Sequence, residues 1–141
     1  MKMHSFKITK IYKTSKEKVF NAWANKEQMQ QWMGPGDVRC DKIEMNFKVG
    51  GAYQIFMITQ DGPMTAYGEY KEIKPTDKIA FTWGWRQNEL EGTLVTLTFK
   101  EVSGGTEMTL EHSNIPSEEI AKHHQMGWTS IAEKLGSFVQ G

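Results

Sequence analysis

From residue 117 onward the apolar positions repeat every three or four residues, and this pattern predicts a long amphipathic helix from Ser117 to Val139. Ser117 offers a hydroxyl cap, and Glu118 and Glu119 put acids in the first turn, where they complement the positive end of a helix. Ile120, His124, Trp128, Ile131, Leu135 and Phe138 then share one face, whereas Glu118, Glu119, Lys122, Gln125, Ser130, Glu133 and Lys134 fall mostly elsewhere. Two members of the apolar stripe work against packing. Gly127 costs about 1 kcal/mol relative to alanine in a helix interior, and His124 puts a titratable ring where an aliphatic side chain would serve. A helix that gives up stability on its buried face is read here as leaving room for something else.

Upstream the pattern is different. Phe6 and Ile8 alternate with polar neighbours and predict a first strand reaching Tyr12. Ser15 then caps a short helix whose apolar face is Val19, Phe20 and Trp23. A second short helix carries Glu27, Met29 and Trp32, and Gly34-Pro35-Gly36 ends it. The middle of the chain reads as a meander of about six strands. Ile43, Met45, Phe47 and Val49 alternate up to a tight connection at Gly50-Gly51, and Tyr53 to Thr59 follows. Thr65 to Ile73 ends at the turn Pro75-Thr76-Asp77. Ile79, Phe81, Trp83 and Trp85 alternate, Thr93 to Val102 carries Val95, Leu97 and Phe99, and Glu107 to Ser113 carries Met108, Leu110 and His112.

The short connections imply antiparallel neighbours. One face of such a sheet must be covered. Only the C-terminal helix is long enough, since its 23 residues span about 35 Å. The fold class is therefore α+β, in a single domain over residues 1–141 with no repeats, linkers or low-complexity segments.

Composition narrows the functional classes. Lys plus Arg and Asp plus Glu are equal at 17 each, and no polybasic run occurs, so neither nucleic acid nor an anionic membrane is an expected partner. No apolar stretch approaches the roughly 20 residues that span a bilayer, and Met1 to Ser5 lack the apolar core of a secretion signal. Cys40 is the only cysteine, which excludes an internal disulfide and fits a reducing, cytoplasmic setting. Five Trp, seven Phe, four Tyr and nine Met supply an aromatic-rich core. They are also the side chains that line adaptable apolar pockets.

Candidate chemistry is sparse. His4, His112, His123 and His124 have no metal-ligand spacing and Cys40 has no cysteine partner, so neither metal nor cofactor is expected. Gly50-Gly51 lacks the lysine and helix start of a phosphate cradle, and no nucleophile triad or paired-carboxylate motif occurs. His124 is the leading candidate for ligand contact, against the alternative of a buried histidine satisfied by its neighbours. His112 shares the parity of Met108 and Leu110, and His123 is expected in solvent. Glu69 faces the pocket or solvent depending on the phase of its strand. Trp83, Trp85 and Trp128 are candidates for an aromatic wall.

The ordered motifs also carry a resemblance. Val19-Phe20-Asn21-Ala22-Trp23, Gln31-Trp32-Met33-Gly34-Pro35, Val49-Gly50-Gly51-Ala52-Tyr53 and Gly68-Glu69-Tyr70-Lys71-Glu72-Ile73 are followed by Phe81-Thr82-Trp83, Val95-Thr96-Leu97-Thr98-Phe99 and His124-Gln125-Met126-Gly127-Trp128. Over nearly the whole chain this resembles the START-related helix-grip superfamily, and within it the family named for activators of the heat-shock chaperone ATPase. The resemblance implies a curved antiparallel sheet of six or seven strands around the C-terminal helix, with two short helices closing one end. Characterised relatives are similar to chaperone co-activators, to binders of small hydrophobic or polyketide-like molecules, and to a self-sacrificing antibiotic-resistance protein. The eukaryotic co-activators carry an additional N-terminal chaperone-binding domain, for which 141 residues leave no room.

The leading expectation is a monomer or homodimer that binds a small hydrophobic or aromatic ligand between helix and sheet. Tyr67, Phe81, Trp83, Leu97, Leu110, His112, His124, Trp128 and Ile131 are its candidate lining residues, chosen from strand parity and the helical stripe. The alternatives are a co-chaperone acting on a heat-shock ATPase, and a cyclase- or hydrolase-like enzyme using His124 with His112 or Glu69.

Overall fold

The computed structural model describes residues 3–86 and 90–140. Seven strands form one antiparallel sheet in the order β1-β7-β6-β5-β4-β3-β2. They are β1 (His4–Tyr12), β2 (Arg39–Met45), β3 (Ala52–Thr59), β4 (Gly62–Lys74), β5 (Lys78–Trp85), β6 (Leu90–Val102) and β7 (Gly105–Ile115). Helices α1 (Lys16–Ala24) and α2 (Lys26–Trp32) separate β1 from β2, and α3 (Glu118–Gln140) closes the chain. The expected helix-grip arrangement is present, with seven strands.

The helix starts follow the local chemistry. Ser15 Oγ accepts from the Lys18 amide at 3.2 Å, and Ser117 Oγ accepts from the Ile120 amide at 3.1 Å. Asn25 ends α1 and caps α2, accepting from the Gln28 amide at 3.0 Å through its side chain.

The strand predicted from Ile43 to Val49 is shorter than its alternation suggests. β2 stops at Met45, and residues 46–51 form a connection in which Val49 is exposed. Phe47 owes its apolar character to tertiary contact: its ring meets Phe20 at 6.0 Å and Tyr70 at 5.0 Å. Gly51 is required there, because a Cβ would lie 2.0 Å from the Asn46 carbonyl oxygen. At the far end of β7, Asn114 adopts φ 60°, a left-handed backbone that short polar side chains tolerate. The register against β1 shifts at this end, so His112 and Ile115 are both buried although three residues apart.

The buried stripe of α3 keeps Trp128, Ile131 and Leu135 of the predicted one and extends one position round from it. Ala121, Trp128, Ile131, Ala132, Leu135, Gly136 and Val139 are buried, while Ile120, His124 and Phe138 lie on its half-buried edge. Small residues bring the helix against β1. Tyr12 Oη donates to the Ala132 carbonyl at 2.8 Å, and a Cβ on Gly136 would stand 3.0 Å from Tyr12 Cε1. Much of the space between sheet and helices is filled by rings from both: Tyr53, Tyr70 and Phe81 from the sheet pack with Trp23 of α1, and Trp23 meets Trp32 at 4.6 Å. The gap left among these rings is about 10 Å³, the size of one water molecule.

Candidate functional site

An apolar cleft lies at one end of the helix–sheet interface, where α3 passes the loop that follows α2. Its floor is buried and comes from four side chains: Met57 of β3, Trp83 of β5, and Trp128 and Ile131 of α3. Pro35, Trp85, His123, His124 and Gly127 form a partly exposed rim. The cleft has a volume of about 200 Å³.

Each wall is there for a local reason. Alternation along β5 sends Trp83 and Trp85 to the concave face, where the rings meet edge-on at 5.4 Å. Trp128 lies 4.8 Å from Trp83, so three indoles from two elements bound one volume. The loop carrying Pro35 is tied down from α3. Lys134 Nζ donates to the carbonyls of Gly34 at 2.6 Å and Gly36 at 3.1 Å, and Ser130 Oγ accepts from the Gly36 amide at 2.8 Å. Gly127 leaves the gap open. A Cβ added there would meet nothing nearer than Pro35 Cγ at 3.9 Å.

The two inner histidines are held by tryptophans. Trp85 Nε1–H donates to His124 Nε2 at 3.0 Å, and Trp128 Nε1–H donates to His112 Nδ1 at 3.1 Å. An indole nitrogen can only donate, so both imidazole atoms are unprotonated acceptors and the tautomers follow. His124 carries its proton on Nδ1 and donates it to the Ile120 carbonyl at 2.9 Å. His112 carries its proton on Nε2, for which no acceptor lies within hydrogen-bond distance among the described residues. The rings stand edge-on with centroids 5.2 Å apart. Burial pushes His112 down to about 3, with His124 beside it adding to the effect. Burial likewise lowers His124, helped by His123 and opposed by the Ile120 carbonyl. Both are therefore neutral at pH 7.

Of the nine side chains picked from the sequence, Trp83, His124, Trp128 and Ile131 line the cleft. Phe81, Leu97 and Leu110 are buried in the packed core, and His112 sits fully buried behind Trp128. Tyr67 is a correction. Its neighbours Ala66 and Tyr70 take the buried side of β4, and Tyr67 lies on the opposite face under the Arg86 guanidinium, 4.2 Å from its ring centroid. Glu69 is on the solvent side, paired with Lys71 at 3.0 Å. Pro35, Met57 and His123 were not selected. Met57 shares the parity of Tyr53 and Ile55, a signal that was available, whereas nothing local places Pro35 opposite Gly127.

Chemically the cleft is an apolar concavity with few polar groups. Neither ring nitrogen of His124 is free to take a substrate proton, and Glu69 is across the sheet from it. Among the described residues no group of three or more His, Cys, Asp or Glu could hold a metal ion, and no helix is long and apolar enough to cross a membrane. Cys40 is half-buried, and burial raises its thiol to about 11, away from the thiolate that reactivity requires.

Comparison with known proteins agrees with this architecture. Activator of 90 kDa heat shock protein ATPase homolog 1 of Mus musculus is 28% identical over 132 residues, covering 91% of this chain and 35% of that protein. The chain thus spans about a third of the length of this relative. A solved structure from Chromobacterium violaceum superposes with a TM-score of 0.87 at 21% identity, covering 98% of this chain and 99% of that one. An AHSA1 protein of Silicibacter pomeroyi gives 0.84 at 23% identity, covering 95% and 96%. CalU16 of Micromonospora echinospora gives 0.77 at 20% identity, covering 97% and 76%. These structures share the fold. The family model described as Activator of Hsp90 ATPase homolog 1-like protein matches residues 13–140, and the chain belongs to that family.

Proposed function

We propose that this protein binds a small hydrophobic molecule in the cleft between α3 and the concave face of the sheet. The observation that carries the reading is the volume of about 200 Å³ bounded by Trp83, Trp85 and Trp128 and left open by Gly127. The rest of the interface is close-packed, so this gap stands out against a protein's usual density. An apolar ligand would gain by leaving water there, and three indole rings offer it faces and edges. The experiment is a thermal-shift screen of the intact chain against a metabolite panel, because a ligand selective for the native state raises the melting point by mass action. Retention of that shift in Gly127→Phe, which fills the cleft, would sink the proposal.

A second reading, chaperone co-activation, is favoured by the match to the mouse activator over 132 residues. It predicts that the chain co-precipitates a heat-shock ATPase and stimulates its turnover. Loss of both effects in a purified mixture removes it. The catalytic reading has less support, since the hydrogen bonds from Trp85 and to Ile120 occupy both nitrogens of His124.

A further inference from the structure

We infer that the ligand class for which the cleft is built is an uncharged aromatic of one ring or one fused pair, such as a substituted benzene or an indole. This rests on the binding reading above and adds size and charge to it.

Size comes from the volume. An engineered apolar cavity of about 150 Å³ holds benzene, whereas the pockets of drug-sized ligands measure about 300 to 1,000 Å³. The cleft, at about 200 Å³, lies just above the first figure. A third fused ring or a long acyl chain cannot be enclosed. Deeper entry is barred, because the gap beyond Trp83 is about 10 Å³ and is lined by Trp23, Tyr53, Tyr70 and Phe81. Any further length must project past Pro35 into water and adds no burial.

Charge comes from the lining, which contains no Asp, Glu, Lys or Arg. Its two titratable members are both histidines of α3. His124 is neutral with both nitrogens engaged, by Trp85 of β5 and by its own helix. His112 of β7, behind the floor, is neutral and bonded to Trp128. His123 is exposed on the rim. A charged group on the floor would lose its hydration without gaining a counter-ion. An anion would also meet the negative faces of the indoles, whereas a cation would recover part of its loss from them. The expected order of affinity is neutral, then cationic, then anionic.

Isothermal titration calorimetry of the intact chain tests this, with benzyl alcohol, benzylammonium, benzoate, indole, phenanthrene and 1-decanol. Benzyl alcohol and indole should bind, indole more tightly. Benzylammonium should bind several-fold and benzoate at least tenfold more weakly than benzyl alcohol. Phenanthrene and decanol should gain nothing over indole. Gly127→Leu and Gly127→Phe, each checked for native melting, should lose indole binding at least tenfold. Benzoate or benzylammonium binding as tightly as benzyl alcohol would overturn the inference while leaving a binding protein. So would decanol or phenanthrene binding tenfold tighter than indole. Indole binding untouched in both Gly127 variants would place the probe elsewhere and overturn it. Failure of every probe would remove the binding reading and this inference together.

Discussion

Trp85 and His124 are joined by an indole-to-imidazole hydrogen bond of 3.0 Å, and the bond exists only while His124 Nε2 is unprotonated. The wall of the cleft and the protonation state of its inner histidine are thereby one arrangement. Protonation of His124 would turn its acceptor into a second donor facing the indole N–H.

Replacing Trp85 with Phe keeps a ring in the wall but removes the donor. The neutral imidazole then loses a bond that favoured it, so His124 should titrate at higher pH than in the parent protein. Nuclear magnetic resonance titration of the ring reads this directly. The same variant should lose about 1 kcal/mol of stability, the usual net worth of one hydrogen bond. An unchanged His124 titration would show that the contact does not form.

Stability should fall on acidification, chiefly through His112. Its folded pKa of about 3 lies below the ordinary imidazole value of 6.5, so the unfolded chain binds the proton more readily. Stability from this group is complete above about pH 6.5 and declines as the pH drops towards 3. By pH 4 the loss amounts to about 3 kcal/mol, from about 1.4 kcal/mol per pH unit. Urea denaturation at pH 8 and pH 4 should reveal it, and His112→Gln should flatten the difference.

Two glycines of α3 should respond to alanine with opposite signs. Gly127→Ala places its methyl in ordinary van der Waals contact with Pro35, 3.9 Å from Cγ, and removes a helix-weakening residue, a gain approaching 1 kcal/mol. Gly136→Ala drives a methyl to 3.0 Å from a fully buried Tyr12 whose hydroxyl is bonded to Ala132. Overpacking of that kind typically costs about 1–3 kcal/mol and should exceed the gain in helix propensity. Thermal melts of the two variants compare them directly.

Lys134→Met keeps most of the apolar stem while removing the ammonium from the carbonyls of Gly34 and Gly36. The expected loss is about 2 kcal/mol, within the range for hydrogen bonds to charged groups. Faster hydrogen exchange at the Gly36 amide, which donates to Ser130, should accompany it.

Much of the architecture was legible in the residues alone. Period-two runs marked the strands, the caps at Ser15 and Ser117 marked helix starts, and Gly34-Pro35-Gly36 marked the end of α2, because each reflects chemistry within a few residues. The Ile43–Val49 run misled for the same reason: Phe47 is apolar for the sake of Phe20, 27 positions earlier in the chain, and not for a strand. The stripe of α3 extends beyond the predicted Trp128, Ile131 and Leu135 because side-chain hydrophobicity undervalues Ala121, Ala132 and Gly136, whose smallness admits β1.

By itself, then, the order of residues determined the sheet-and-helix composition, the flaw at Gly127 and the concave placement of Trp83 and Trp128, since periodicity and propensity act over short spans. Only the tertiary structure decided that Tyr67 faces outward, that Pro35 closes the cleft opposite Gly127, and that tryptophans silence both inner histidines. Those outcomes depend on which surfaces meet across 16 to 92 residues of chain. No local pattern encodes the meeting of an indole and an imidazole from β5 and α3.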